Sequence, residues 1–418
     1  MNKRVINKIE ERKCLGILSI ELLMGKSLRT FWYSGLCVVL LWGCDFFERK
    51  DPKVEEVQGG DESLLRKIKV ESDPRLYVET RSYMGELFRL IVVVDGVKEK
   101  SSDVDLSQFS LQSRKRAQNA CRNAFTEIAR VERLMSRHVK DGQLSRLNRS
   151  SLQNFAEGKV LTNPFEVDED VLLVIREAKQ VSQLSKGAFD VTFAAVGDLW
   201  YDKETGKGRV PSKKELARLL QRVDYEKVQL DLVKKTVRMA AGQQLGLGGI
   251  AKGYAIDRAV VTLKGEGYRN FVVYGGGDIY VSGRHPDRQW RVGIKHPRKK
   301  GEYFAFLDVT NVAVVTSANN ERFFELEGER YHGVLDPKTG LPARGVRLVT
   351  VLSDRAVYSD AMATALFVMG TDHGRRLVDR LSDTEAVFVD TKNKVVVTAG
   401  LKRLINITKP LKEDGDGH

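Results

Sequence analysis

Between residues 77 and 408 two apolar periodicities interleave without a fixed repeat. Apolar runs at 90–94, 228–230, 236–239, 271–274, 290–294, 304–309, 312–315, 386–389 and 395–398 have the length and β-branched content of strands. Helical spacing occurs at 112–139, where Ala120, Phe125, Ile128, Val131 and Leu134 share a face opposite Arg and Glu. It recurs at 167–184, just after Pro211, and at 359–370 and 372–381. A doubly wound parallel sheet needs strand and helix to alternate, because each parallel crossover consumes a helix. Here the order is mixed. It predicts an α+β fold, with mixed or antiparallel sheets and flanking helices.

The chain has 418 residues, of which 42% are apolar, enough for a substantial core. Burial has to suffice: of Cys14, Cys37, Cys44 and Cys121, only Cys121 would remain as a free thiol in a processed chain. There is no CxxC and no Cys/His cluster, which argues against zinc or redox-cysteine chemistry. Of the net charge of +13, the first 43 residues supply +4 through seven bases against three acids. The rest is spread through mixed-sign stretches with no basic block, which speaks against a nucleic-acid partner and leaves a small polyanion or an anionic membrane surface open.

Lys26 and Arg29 precede a largely apolar run of 13 residues, 31–43, followed by Cys44. The run is short for a bilayer span and has the layout of a secretion signal; an uncleaved anchor helix is the alternative. Leu41-Trp42-Gly43-Cys44 resembles the lipobox of bacterial lipoproteins. The expected organisation is a signal peptide over 1–43, an acylated cysteine and charged tether over 44–76, a folded domain over 77–408 and a frayed tail over 409–418. Such a chain is exported and lipid-anchored to the bacterial inner membrane, facing the periplasm; Asp45 after the cysteine resembles an inner-membrane retention signal.

Four segments carry chemistry. Gly246-Leu247-Gly248-Gly249-Ile250-Ala251-Lys252-Gly253 places small residues ahead of a helix starting near Ala251. Its amides and dipole suit a phosphate and Lys252 would neutralise it; a plain strand-to-helix turn with a solvent-facing lysine is the alternative. Tyr274-Gly275-Gly276-Gly277-Asp278 follows a strand and suits either close packing on a flat ligand or a hairpin bend. In Tyr358-Ser359-Asp360-Ala361-Met362-Ala363-Thr364, Ser359 is a natural N-cap, and a spacing of four sets Asp360 and Thr364 on one helical face. The two are hard oxygen donors suited to Mg²⁺, or they serve the helix dipole and a backbone carbonyl. Tyr331-His332-Gly333-Val334-Leu335-Asp336-Pro337-Lys338-Thr339-Gly340 reads as an apolar strand end running into a turn. It leaves open whether His332 works.

In this order and spacing the segments resemble the FAD:protein FMN transferase family, the ApbE flavin transferases, over roughly residues 80–400. Met84-Gly85, Ser145-Arg146-Leu147-Asn148 and Gly187-Ala188-Phe189-Asp190-Val191-Thr192 extend the likeness. The resemblance implies that Asp360, Thr364 and the backbone at Gly249 hold Mg²⁺ against the FAD pyrophosphate. It implies that Lys252 contacts FAD and that Met84, His138, Ala188, Phe189, Asp190 and Val334 line its site. The implied activity cleaves FAD between its phosphates and joins FMN to a Thr or Ser hydroxyl of an acceptor flavoprotein of a periplasmic or membrane electron-transfer complex, releasing AMP.

The chain departs from the family pattern at four places. It has Gly246 for an aspartate, His138 for a tyrosine, and Ser317-Ala318-Asn319-Asn320 for a Ser-Gly-x-Tyr pattern; the family's histidine before the Asp-Pro turn falls on Gly333. His332, one place earlier, is the candidate base, and in a strand it would face the other side unless a bulge turns it. These departures keep two alternatives beside transfer: an FAD-binding lipoprotein without catalysis, and an FAD pyrophosphatase in which water replaces the hydroxyl.

Overall fold

A computed structural model describes residues 73–94, 106–202, 205–320 and 323–412. The segments expected to be a signal peptide, an acylated Cys44 and most of a tether, and the end of the tail, lie outside the described residues. In chain order the elements are β1 (Leu76–Tyr83), β2 (Glu86–Val93), α1 (Leu106–Met135), α2 (Gln143–Ala156), β3 (Phe165–Glu166), α3 (Glu169–Leu184), α4 (Ala194–Gly197) and α5 (Lys213–Leu220). There follow β4 (Gln229–Asp231), β5 (Thr236–Arg238), α6 (Ala251–Gly265), β6 (Phe271–Gly275), β7 (Asp278–Ser282), β8 (Trp290–Lys295), β9 (Tyr303–Val309) and β10 (Val312–Ala318). The last are β11 (Phe323–Leu326), β12 (Glu329–His332), β13 (Val346–Ser353), α7 (Ala356–Val378), β14 (Glu385–Asp390), β15 (Val395–Val397) and β16 (Ile405–Ile407).

The central sheet has eight strands in the order β1-β2-β6-β7-β10-β13-β14-β15, and every neighbouring pair is antiparallel. The expected α+β class holds, with the sheets antiparallel throughout. Strand alternation sends Phe88, Leu90, Phe271, Val273, Ala313, Val315, Val349 and Phe388 to one face, where they join the helices in the larger core. Ile91, Val272, Val314, Leu348, Val387 and Val389 point to the other face, into a second core closed by the three-stranded sheet β16-β9-β8. A register shift between Val346 and Leu348 accounts for Val346 joining the helical core while Leu348 joins the other, since one extra residue reverses a strand's facing.

Two of the two-residue hairpins, like the Glu327-Gly328 hairpin of β11 and β12, are set by left-handed backbone. Gly276 and Gly277 (φ 57° and 99°) join β6 to β7, and Met84 and Gly85 (φ 55° and 72°) join β1 to β2. Two positive φ values in a two-residue loop match the right-handed twist of the strands; Met84 adopts at some strain what a glycine adopts freely.

α7 breaks at Gly370 (φ 76°, ψ 173°), which divides it where the sequence divides 359–370 from 372–381. Its start differs from expectation: the helix begins at Ala356, so Ser359 lies inside it, buried, with its hydroxyl 2.7 Å from Ser353 Oγ. The N-capping acceptor comes instead from another helix, as described below. β13, α2, β1 and β7 are elements the apolar runs did not announce.

Candidate functional site

α6 and α7 both lie on the helical face of the central sheet, α6 against β6 and β7 and α7 against β10 and β13, and they pack against each other. They cross where Gly253 leaves no room for a side chain. A Cβ there would sit 2.2 Å from Ala356 O and 2.8 Å from Asp360 Cβ. This close approach permits an exchange of carboxylates. Asp360 of α7 accepts the Gly253 N–H in the first turn of α6 at 3.0 Å. Asp257 of α6 accepts the Ala356 and Val357 N–H groups in the first turn of α7, both at 2.9 Å. Neither helix's own N-cap residue, Ile250 or Arg355, makes a side-chain cap bond. Each helix is capped by its neighbour. Burial pushes the Asp257 carboxyl up to about 6, against the pull of its two N–H donors.

One oxygen of Asp360 is thus anchored; the other lies 3.7 Å from Lys252 Nζ. Lys252 does not face solvent. Its ammonium binds Asp278, whose side chain is only 2% exposed and which enters from β7 immediately after the Gly276-Gly277 turn. Asp278 was legible as part of a glycine-rich motif but had no assigned role; only the hairpin shows that it meets Lys252. One ammonium thus stands between two buried carboxylates, Asp278 and Asp360, which offset the cost of burying its charge.

Thr364, one turn beyond Asp360 on α7, has its hydroxyl 3.5 Å from Ser317 Oγ on β10. A Cβ at Gly249 would lie 3.6 Å from Thr364 Oγ1 and 3.1 Å from the Phe189 ring. Gly249, Thr364 and Phe189 therefore surround one small space. The Asp360 oxygen that faces Lys252, the Thr364 hydroxyl and the backbone at Gly249 are all oxygen donors, a chemistry that fits a hard divalent cation such as Mg²⁺.

The remaining sequence candidates have distinct settings. Asp190 accepts from Thr192 N (2.8 Å), Thr192 Oγ1 (2.6 Å) and Tyr225 N (3.0 Å), so its carboxylate shapes its own loop; burial pushes its pKa up. Ala188 and Phe189 are buried beside it. Met84 donates its N–H to Glu132 Oε1 at 2.7 Å, and its half-buried side chain packs on the main core, as does Val334. His138 is exposed in the turn after α1, its N–H on Ser136 Oγ at 3.2 Å, and it is not in the contacts that join Lys252, Asp278, Asp360 and Thr364. At Gly246 a Cβ would meet Ala194 Cβ at 3.0 Å, so the smallness of the two residues is matched.

His332 ends β12, paired with Phe323 across a regular register without a bulge. Alternation buries it, whereas Gly333 is exposed. Its ring meets Phe367 of α7 edge-on at 5.5 Å, one turn past Thr364. Nε2 lies 3.0 Å from Ala343 O, and since a carbonyl only accepts, Nε2 carries the proton. Nδ1 is then a bare lone pair, buried and without a hydrogen-bond partner among the described residues. Burial holds the His332 pKa below its ordinary value and keeps the ring neutral. The strand end predicted over Val334 and Leu335 is displaced: the strand stops at His332. The turn beyond it forms as expected, with Gly340 at φ 72°, Gly340 N on Asp336 O at 2.8 Å, and Trp200 Nε1 on Gly340 O at 3.0 Å.

Comparison with known proteins gives the family. The profile of the ApbE family matches residues 91–388. The FAD:protein FMN transferase of Treponema pallidum is 31% identical over 299 residues, covering 68% of this chain and 80% of that protein. The enzyme of the same name from Haemophilus influenzae is 29% identical over 274 residues, covering 64% and 77%. The crystal structure of the ApbE protein of Thermotoga maritima superposes with a TM-score of 0.66 at 27% identity, covering 79% of this chain and 99% of that one. These matches define a flavin transferase, an enzyme that takes FAD and a protein as its substrates. The chain belongs to the ApbE family.

Proposed function

We propose that this chain catalyses Mg²⁺-dependent transfer of FMN from FAD to a Thr or Ser hydroxyl of a periplasmic or membrane electron-transfer protein, releasing AMP. The observation that carries the reading is the convergence of Lys252, Asp278 and Asp360 beside the Gly249 turn, where buried carboxylates and a lysine sit next to oxygen donors. Asp360, Thr364 and the Gly249 backbone would hold the cation. When bound, it supplies charge stabilisation to the phosphoryl oxygens.

Lys252, held by Asp278, is placed to pair with the pyrophosphate as negative charge accumulates on it. The α6 N-terminus adds its dipole on the same side. The acceptor oxygen forms a bond to the flavin-side phosphorus, the bond from that phosphorus to the bridging oxygen breaks, and AMP leaves with the electron pair. The acceptor proton is assigned to His332 Nδ1 on the condition that acceptor docking uncovers it, because unbulged β12 keeps this buried lone pair on the side opposite Gly333 and the bulge that would turn it is not there. The residue pattern of 26–44, basic residues then an apolar run then Cys44, supports an exported, lipid-anchored setting, in which FAD and acceptor meet at the periplasmic membrane face.

Incubating the full chain with FAD, MgCl₂ and a candidate acceptor domain tests the reading. Covalent flavin on the acceptor with stoichiometric AMP supports transfer. AMP with free FMN shows hydrolysis, and FAD binding without either product shows a carrier, which the departures at Gly246 and Gly333 make the competing outcomes.

A further inference from the structure

The carboxylate exchange between α6 and α7 has two halves, and only Asp360 faces the reacting groups. Each half follows one pattern. In α6 the contact residue Gly253 precedes Asp257 by four, and in α7 the contact residue Ala356 precedes Asp360 by four. A spacing of four keeps contact and carboxylate on one helical face, so the two helices clasp reciprocally. Asp257 holds two consecutive N–H groups of α7 at 2.9 Å, and Arg355, the N-cap of α7, supplies no substitute. These bonds fix how far α7 advances along α6. Everything α7 contributes moves with that register: Asp360 against Lys252, Thr364 against Gly249, and Phe367 against His332.

We infer that Asp257 is a positioning residue for this reaction, setting the register of α7 so that Asp360 and Thr364 form a cation site beside Lys252. The inference rests on the reading of Asp360 and Thr364 as magnesium ligands. Asp257 touches neither substrate nor cation; it acts through the first turn of α7. An Asp257→Asn side chain has the same size, but its NH₂ group cannot accept from Val357 or Ala356, so one of the two bonds is lost and α7 is no longer held at both points.

The test is calorimetric titration of MgCl₂ into the full chain, wild type, Asp257→Asn and Asp360→Ala, without FAD. Magnesium binding is expected in the wild type, about tenfold weaker in Asp257→Asn, the scale of an orienting partner's loss, and absent in Asp360→Ala. In turnover the split is expected to match: the apparent KM for magnesium rises about tenfold, while kcat at saturating magnesium stays within about threefold. A second variant separates register from stability. Arg355→Ser places a local cap on α7 but removes the Arg355–Glu177 pair, so Asp257→Asn combined with Arg355→Ser is expected to recover the melting temperature of Arg355→Ser alone. Magnesium affinity that stays weak in this double variant supports the inference. Affinity that returns with the melting temperature, or Asp257→Asn binding magnesium like the wild type, overturns it and leaves the ligand assignment standing. A wild type that binds no magnesium, or one whose binding survives Asp360→Ala, overturns both.

Discussion

The two faces of the central sheet are built for different tasks. On the face covered by β8, β9 and β16 the packing is aliphatic and aromatic, with Trp290, Phe304 and Leu307 buried and the Trp290 indole N–H satisfied by Ser282 O at 2.9 Å. On the helical face a core of similar character also takes in buried polar groups, among them Asn148, Asp278, His332 and Asp360, and the charged ones gather where α6 meets α7. Buried charge costs free energy unless it is paired. Here the pairing comes from helix N-termini and one lysine, partners that a sheet-on-sheet interface does not offer. Polar chemistry therefore sits on the side where α6 and α7 meet, and the opposite side is free to serve stability.

Four substitutions would break or sharpen this contrast. Asp360→Ala is expected to lower transfer by roughly 10³-fold, measured as covalent flavin formed per minute on protein shown to be folded, with a melting temperature lowered by loss of the α6 cap; full activity would remove the carboxylate from the site. Phe304→Ala, on the other face, is expected to cost about 3–4 kcal/mol of stability from the cavity it leaves, read by urea denaturation, while activity per folded molecule stays unchanged. A matching loss of kcat would show that the faces are coupled.

His332→Gln is expected to lower kcat by about a hundredfold, the usual scale of a positioned base. Burial holds this histidine below its ordinary value of about 6.5, so the acidic limb of kcat is expected below that pH and absent in the variant. The sign for stability follows from the same shift: the unfolded chain takes up the proton first, so the contribution is full above the ordinary value and is lost as pH falls through the folded one. The variant should therefore be less acid-sensitive in thermal melts below pH 6.5. Gly253→Ala, at the helix crossing, should cost about 2 kcal/mol, because its Cβ meets backbone that cannot yield. Unlike Phe304→Ala it should also weaken magnesium binding, since it parts α6 from α7.

Much of the helical face was legible in the residue pattern. The Gly249 to Gly253 turn, the helix start at Ala251 and the shared face of Asp360 and Thr364 depend on local spacing, and they are found as read. Elements whose pattern is masked were not. β13 is buried along its whole length and lacks polar alternation, with Arg347 and Thr350 interrupting its apolar run. α2 is rich in Ser, Asn, Gln and Arg, residues that suggest loop, yet Asn148 bonds Leu245 O and N at 2.9 and 2.8 Å and so anchors the helix to the glycine turn's approach. Ser359 resembled a cap because nothing in its neighbourhood reveals an acceptor about a hundred residues earlier.

The sequence by itself determined which residues have the chemistry for phosphate and cation, because donor type, glycine content and four-residue spacing are local properties. The tertiary structure alone decided their partners. Lys252 meets Asp278 only because β7 turns back beside α6, Asp257 caps α7 only because Gly253 lets two helices touch, and His332 faces Phe367 only because β12 keeps an unbulged register. Such contacts join residues distant in the chain, and their geometry is fixed by packing rather than by any neighbouring residue.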